Sequence, residues 1–218
     1  AVVLGVETPS DAEDIDFPDE FADGAGATVF LADAADVADI ENAPVSGANV
    51  TLQGEALGED AAGTYLLEPD ALSYEPDATW TVQVEIGGDT AEGRISLPAA
   101  ASFDVPDALT SGEGVSIDLT GQGFDGAFVV VVAQDGTITF DNRPETPGEF
   151  YDFTRGDEVT TIDIPASAFE SGTVFAIGVA GIRSTTGRDA VDAMNTALST
   201  LMAGNLVFEP VAKLPDGA

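Results

Sequence analysis

Hydrophobic and polar residues alternate along residues 79–86, with Trp80, Val82, Val84 and Ile86 on one face and Thr79, Thr81, Gln83 and Glu85 on the other. A period of two predicts a β-strand with one face buried. Strand-length runs of similar character occupy residues 28–32, 48–53, 63–67 and 93–97. Turn-forming clusters separate them: Asn42-Ala43-Pro44, Gly58-Glu59-Asp60, Glu75-Pro76-Asp77 and Gly87-Gly88-Asp89. No helical period intervenes, so this segment reads as an antiparallel sandwich.

A second series follows a linker at residues 98–102. Strands are predicted at residues 102–105, 114–119, 127–134, 137–141, 158–164 and 173–181. Residues 128–133 (FVVVVA) are apolar without alternation, as expected of a central strand covered on both faces. Asp135-Gly136 then reads as the two-residue loop of a type I′ hairpin. Val191, Met194, Leu198 and Leu201 recur at steps of three and four, predicting a short amphipathic helix over residues 189–201. Residues 205–213 read as a closing strand, with Pro210 placing it at an edge or a bulge.

The fold class expected is therefore all-β. Two tandem antiparallel β-sandwich domains cover residues 27–100 and 101–218, with one short helix near the C-terminus and an extended arm at residues 1–26. The arm opens on an apolar strand-former, residues 1–7 (AVVLGVE). It continues with seven acids, Asp11, Glu13, Asp14, Asp16, Asp19, Glu20 and Asp23, around Ile15, Phe17 and Phe21. A free arm of this kind frays. Order requires a surface beneath it, either its own domain or a neighbouring molecule.

Charge changes the picture most. Six Lys+Arg stand against 40 Asp+Glu, a formal net charge of −34, yet 44% of residues are hydrophobic. Disorder needs low hydrophobicity as well as high charge, so the chain is expected to fold. The compact state repels itself, and salt relieves that by shortening the screening length to roughly 3 Å at 1 M. With one lysine, Lys213, the profile resembles salt-adapted proteins of haloarchaea and some marine bacteria; a surface tuned only for solubility would share it. Without Lys/Arg clusters, nucleic acid and anionic membrane surfaces are excluded as partners. The chain has no histidine and no cysteine, which removes disulfides, thiolate nucleophiles, thiolate metal sites and the commonest general base. No apolar run approaches the ~20 residues of a membrane span, so no direct membrane insertion is expected. A first residue of Ala1 suits a secreted protein after signal-peptide removal, and an extracellular or cell-surface location is expected.

The run Ala43-Pro44-Val45-Ser46-Gly47-Ala48-Asn49-Val50-Thr51-Leu52, followed by Gly63-Thr64-Tyr65 and Thr79-Trp80-Thr81-Val82-Gln83-Val84, resembles the carboxypeptidase-regulatory or transthyretin-like sandwich. Pro44, Gly47, Ala48, Val50, Leu52, Gly63 and Tyr65 stand where that pattern places them, over about a third of the chain. The resemblance implies an Ig-like or transthyretin-like accessory module used for display, spacing or adhesion, with no catalytic residues to carry over. Residues 101–218, with Ile164-Pro165, the run at 172–179 and the segment 195–204, resemble acidic surface β modules of bacteria and archaea.

Among candidate sites, the seven arm acids invite calcium, because hard cations collect several oxygens. No Asp-x-Asp-x-Asp-Gly loop accompanies them, and an acid-rich stretch is expected in a chain with forty acids. Carboxylate pairs could run glycoside hydrolysis, but no pair is singled out. No Gly-x-Ser-x-Gly elbow or phosphate loop occurs, so a non-enzymatic role is expected without a cofactor, calcium apart. Asn49-Val50-Thr51 is an N-glycosylation sequon. Arg143, Arg155, Arg183 and Arg188 fall in predicted loops, where they pair with local acids or receive acids from a neighbouring subunit. Val2, Val3, Leu4 and Val6 could add to a neighbour's sheet edge and propagate a filament. The expected function is a subunit of an extracellular assembly, partnered by itself or other surface proteins; the alternative is a monomeric adhesion or ligand-binding module with its arm folded back.

Overall fold

The computed structural model describes residues 1–9, 12, 14–153, 158–186, 191–192 and 199–214. Its first eight strands are β1 (Val2–Glu7), β2 (Gly24–Phe30), β3 (Asn49–Leu52), β4 (Glu55–Ala56), β5 (Gly58–Ala61), β6 (Thr64–Leu72), β7 (Thr79–Ile86) and β8 (Asp89–Ser96). The later ones are β9 (Ala108–Leu109), β10 (Val115–Asp118), β11 (Gly126–Ala133), β12 (Ile138–Asp141), β13 (Thr161–Ile164), β14 (Val174–Thr186), β15 (Val191–Asp192) and β16 (Thr200–Lys213). Among the described residues there is one α-helix, α1 (Pro147–Phe153).

Among the described residues these strands form a nine-stranded sheet ordered β12-β11-β14-β16-β1-β2-β6-β5, with β9 beside β16. A five-stranded sheet, β15-β8-β7-β3-β4, and the pair β10-β13 complete the set. Side chains alternate across the large sheet, so it has two apolar faces. One face carries two cores. The first gathers Val3, Ala27, Val29, Tyr65, Leu201 and Ala203 against Val50, Leu52, Trp80, Val82 and Val84 of the five-stranded sheet. The second sets Val129, Val131, Ile177 and Val179 against Val115, Ile117, Ile164 and Phe169. The opposite face collects Val2, Val6, Phe128, Val130, Val132, Ala176, Met202, Leu206 and Phe208 under Ala12, Ile15 and Phe21 of the acidic arm. The division expected from the sequence lies near residue 100. The two cores fall largely on either side of that point, while the large sheet runs through both segments.

Strand β11 is buried along its whole length between β12 and β14, as its unbroken apolar run predicts. The loop after it differs from the expected type I′ turn. The Gly136 N–H donates to the Ala133 carbonyl at 2.9 Å and the Ala133 N–H to the Thr137 carbonyl at 2.8 Å. Gly136 has φ 82°, while Asp135 is not among the residues of positive φ. A type I′ turn needs positive φ at both central residues, so this is a type I turn closed by a glycine bulge. The Asp135 carboxylate, accepting from the Thr137 N–H at 3.1 Å, fixes it.

The expected C-terminal helix is corrected at both ends. Val191–Asp192 pairs with Gly93 and Glu92 of β8, and Thr200 opens a fourteen-residue strand; residues 187–190 and 193–198 lie outside the described residues. Residues 102–105, predicted as a strand, form none. Pro210 sits where the missing N–H is harmless. β16 bonds to β14 through Lys213, whose N–H donates to the Thr173 carbonyl at 2.8 Å. By alternation Pro210 turns to the other side, in the gap between β1, paired to residues 202–207, and β9, paired to 212–213.

Candidate functional site

Strand β1 is the joint of the molecule. It runs parallel to β16, with Val2 opposite Met202 and Glu7 opposite Val207, and antiparallel to β2, with Val2 opposite Thr28 and Val6 opposite Gly24. Good strand formers at Val2, Val3, Leu4 and Val6 supply apolar side chains to both faces. Gly5 faces Asn205 in register, and Asn205 faces Gly181 on β14. Asn205 is fully buried, and its Nδ2 donates to Glu7 Oε1 at 2.7 Å. The Tyr74 ring lies over Gly5, and its hydroxyl donates to the Pro98 carbonyl at 2.8 Å. Burial pushes the Tyr74 hydroxyl pKa well up, and the nearby Glu7 charge adds to that.

The arm returns from β1 over the opposite face. Its ends are tied at Asp23, whose Oδ1 accepts from both the N–H and the hydroxyl of Thr8 at 2.7 Å. Between them the Asp16 N–H donates to the Gln134 carbonyl at 3.1 Å. Phe17 and Phe21 set their rings edge-on to Phe208, with centroids 4.9 and 5.5 Å apart. This geometry suits the aromatic quadrupole, and Phe21 is 1% exposed. The apolar residues interspersed among the acids are what holds the arm down.

Arg143 clasps the arm. Its guanidinium meets Asp141 Oδ2 through Nε at 2.8 Å and Nη2 at 2.6 Å, reaches Glu20 Oε1 at 3.4 Å, and stands 5.1 Å over the Phe21 ring. Burial opposes the positive charge, but Asp141 and Glu20 outweigh it and hold the pKa above its ordinary value.

The sequence candidates distribute unevenly. Val2, Val3, Leu4 and Val6, expected at a neighbour's edge, are interior to the chain's own sheet, because β16 and β2 each present an edge that β1 completes. Of the arm acids, Glu20 meets Arg143, Asp23 holds Thr8, and Asp14, Asp16 and Asp19 are exposed. Asp11 and Glu13 lie outside the described residues. Among the described residues no group of three acidic side chains could hold a metal ion. Arg143 receives an acid from its own arm. Arg183 is exposed, its Nη2 donating to the Gln122 carbonyl at 3.4 Å; Arg155 and Arg188 lie outside the described residues. Asn49 is exposed at the start of β3, opposite Glu85.

The residues of the sandwich resemblance do meet. Tyr65 is 1% exposed, and its hydroxyl donates to the Val45 carbonyl and accepts from the Ala48 N–H, both at 3.0 Å. Gly63 has φ 72°, and a Cβ there would stand 2.6 Å from the Leu31 carbonyl oxygen. Only glycine allows that approach. Helix α1 was missed, although its signal is local. Thr146 Oγ1 accepts from the Glu149 N–H at 3.3 Å, and Glu149 Oε2 accepts from the Thr146 N–H at 3.1 Å. With Pro147 in the first turn, Thr146-Pro147-Gly148-Glu149 is a capping box.

No family model and no curated protein matches the chain. Among solved structures, "Anomalous substructure of Titin-A168169" aligns at 12% identity over 94% of this chain and 95% of that one, with a TM-score of 0.22. The titin domains Z1Z2 in complex with telethonin align at 12% identity over 99% and 93%, with a TM-score of 0.22. A chimeric titin Z1Z2-Z1Z2 tandem aligns at 15% over 74% and 83%, with a TM-score of 0.20. Superpositions this loose carry no argument. The class rests on the strands themselves: this is an all-β protein of sandwich architecture. Among the described residues no helix is long and apolar enough to cross a membrane.

Proposed function

We propose that this chain is a non-catalytic structural or adhesive module of the cell surface or extracellular space, complete as a single subunit. The observation that carries the reading is β1, which fills the slot between β16 and β2 and so joins the first and last parts of the chain in one sheet. One outer edge of the large sheet is guarded in keeping with this. Edge strand β5 is exposed throughout and carries Glu59 and Asp60, charges that discourage edge-to-edge pairing. The Pro44 to Tyr65 pattern, resembling carboxypeptidase-regulatory sandwiches, supports an accessory rather than a chemical role. The outward Asn49 would accept a glycan in a secreted protein, and the net charge of −34 suits a salt-rich medium.

A second reading, assembly by strand exchange, is favoured by the same strand. β1 is tethered to β2 only through residues 8–23, and a neighbour's copy would find the same two edges. Sedimentation in high salt separates the readings. A complete subunit stays monomeric as concentration rises. Exchange predicts concentration-dependent oligomers that disappear on deletion of residues 1–7 and are blocked by an excess of the free peptide AVVLGVE. Such oligomers would overturn the first reading.

A further inference from the structure

Between the acidic arm and helix α1, the second face of the large sheet is left open over β1, β2 and β6. The opening is a groove of about 650 Å³, within the range of small-molecule sites. Its floor is apolar and built in register: Val2 faces Thr28, and Thr28 faces Leu66, in one row across three strands. Leu4 and Val6 extend the floor along β1, and Gly26, opposite Leu4, lies close against the backbone of Leu67 and Pro69. Phe128 and Phe150 close one end, with centroids 6.3 Å apart and planes at 89°. Leu66 is 37% exposed, one of few large apolar side chains on the described surface.

The rim is charged with one sign in excess. Glu20, Glu68, Asp141 and Glu145 line it against the single cation Arg143, and Arg143 is already engaged by Asp141 and Glu20. Among the described residues, neither Glu68 nor Glu145 has a cationic partner. An anion entering this groove would meet unopposed carboxylates, and a neutral apolar molecule would leave them unanswered. We infer that the groove is a binding site for a small amphiphilic cation, an aliphatic chain bearing one ammonium group. The chain lies along Leu4, Thr28 and Leu66, and the ammonium sits between Glu68 and Glu145. This site does not depend on whether subunits assemble.

The probe is octyltrimethylammonium, compared by titration calorimetry with octyl sulfate, in salt sufficient to keep the protein folded. The cation is expected to bind at least about tenfold more tightly than the sulfate. Thr28→Trp, which fills the floor, should weaken the cation at least tenfold. The pair Glu68→Gln/Glu145→Gln should weaken the cation severalfold and leave the sulfate no weaker than before. Exposed Glu75 and Glu85 lie away from the groove, and Glu75→Gln/Glu85→Gln makes the same charge change there with no expected effect. Unchanged binding by the Glu68/Glu145 pair, or an equal loss in the Glu75/Glu85 pair, overturns the site. So does unchanged binding by a folded Thr28→Trp protein.

Discussion

The backbone of Gly5 lies directly under the ring of Tyr74, and a Cβ at position 5 would stand 2.4 Å from two ring carbons. The same device recurs in the large sheet. Gly126 is covered by Phe153, Gly178 by Phe208 and Gly181 by Phe124, with hypothetical Cβ atoms 2.3 to 2.5 Å from the nearest ring atom. Glycine weakens a strand by its entropy and missing side chain, and an aromatic ring laid over it restores the lost burial. These sites are therefore set by packing rather than by turns.

Gly5→Ala should cost about 1–3 kcal/mol, the usual penalty for overpacking. Denaturant unfolding at constant salt measures it. Gly5→Ala combined with Tyr74→Ala should lose less than the sum of the single changes, because removing the ring removes the clash. Additivity within about 0.5 kcal/mol would show that the ring and the glycine are not coupled.

Arg143→Ala should loosen the arm while leaving both cores intact. Amide exchange at Ile15, Asp16 and Phe21 is expected to quicken at least about tenfold, equivalent to ~1.4 kcal/mol of local stability, with no change along β11. Arg143→Lys should fall between, since an ammonium lacks the fork that meets Asp141 and stacks less well on Phe21. Unaltered exchange in the arm of Arg143→Ala would show that Phe17 and Phe21 hold it without help.

Stability should rise with salt. With a net charge of −34, self-repulsion is strong at 0.1 M, where screening extends about 10 Å, and weak at 1 M, where it extends about 3 Å. A melting temperature that climbs steadily across a potassium chloride series is the expected result. A flat series would assign the acidity to solubility alone.

At high pH the Tyr74 hydroxyl becomes a liability. Its pKa is raised in the folded state by burial and by Glu7, so the unfolded chain ionises first. The contribution is fully present below the unfolded value of about 10 and is lost as pH rises above it. Tyr74→Phe should remove that alkaline slope, read from unfolding free energies at successive pH values. In acid, the lowered carboxylates of Glu59, Glu113, Asp118, Asp135 and Glu149, each hydrogen-bonded to nearby groups, lose their contribution as they protonate. Relief of the net negative charge opposes that loss.

Alternation alone placed β7, with Trp80, Val82 and Val84 inward; Ile86, at its end, is 36% exposed. The unbroken apolar run of β11 likewise announced burial on both faces, and Gly63-Thr64-Tyr65 announced a tight approach beside a buried ring. These are local consequences of side-chain period and glycine conformation. Helix α1 is equally local, marked by the capping box of Thr146 and Glu149. At Val191 and Leu201, which lie in β15 and β16, the three- and four-residue steps misled, because spaced apolar residues suit a strand end as well as a helix.

The acidic arm shows where the sequence stops. Its composition announced that order would require a surface, and the choice between its own chain and another was open. Within the folded chain the arm finds its own surface, with Phe17 and Phe21 on Phe208, Glu20 on Arg143 and β1 against β16. Hydrophobic period tells a strand which face to bury but says nothing about which edge it joins. Val2 and Met202, two hundred positions apart, become neighbours only when the whole sheet forms.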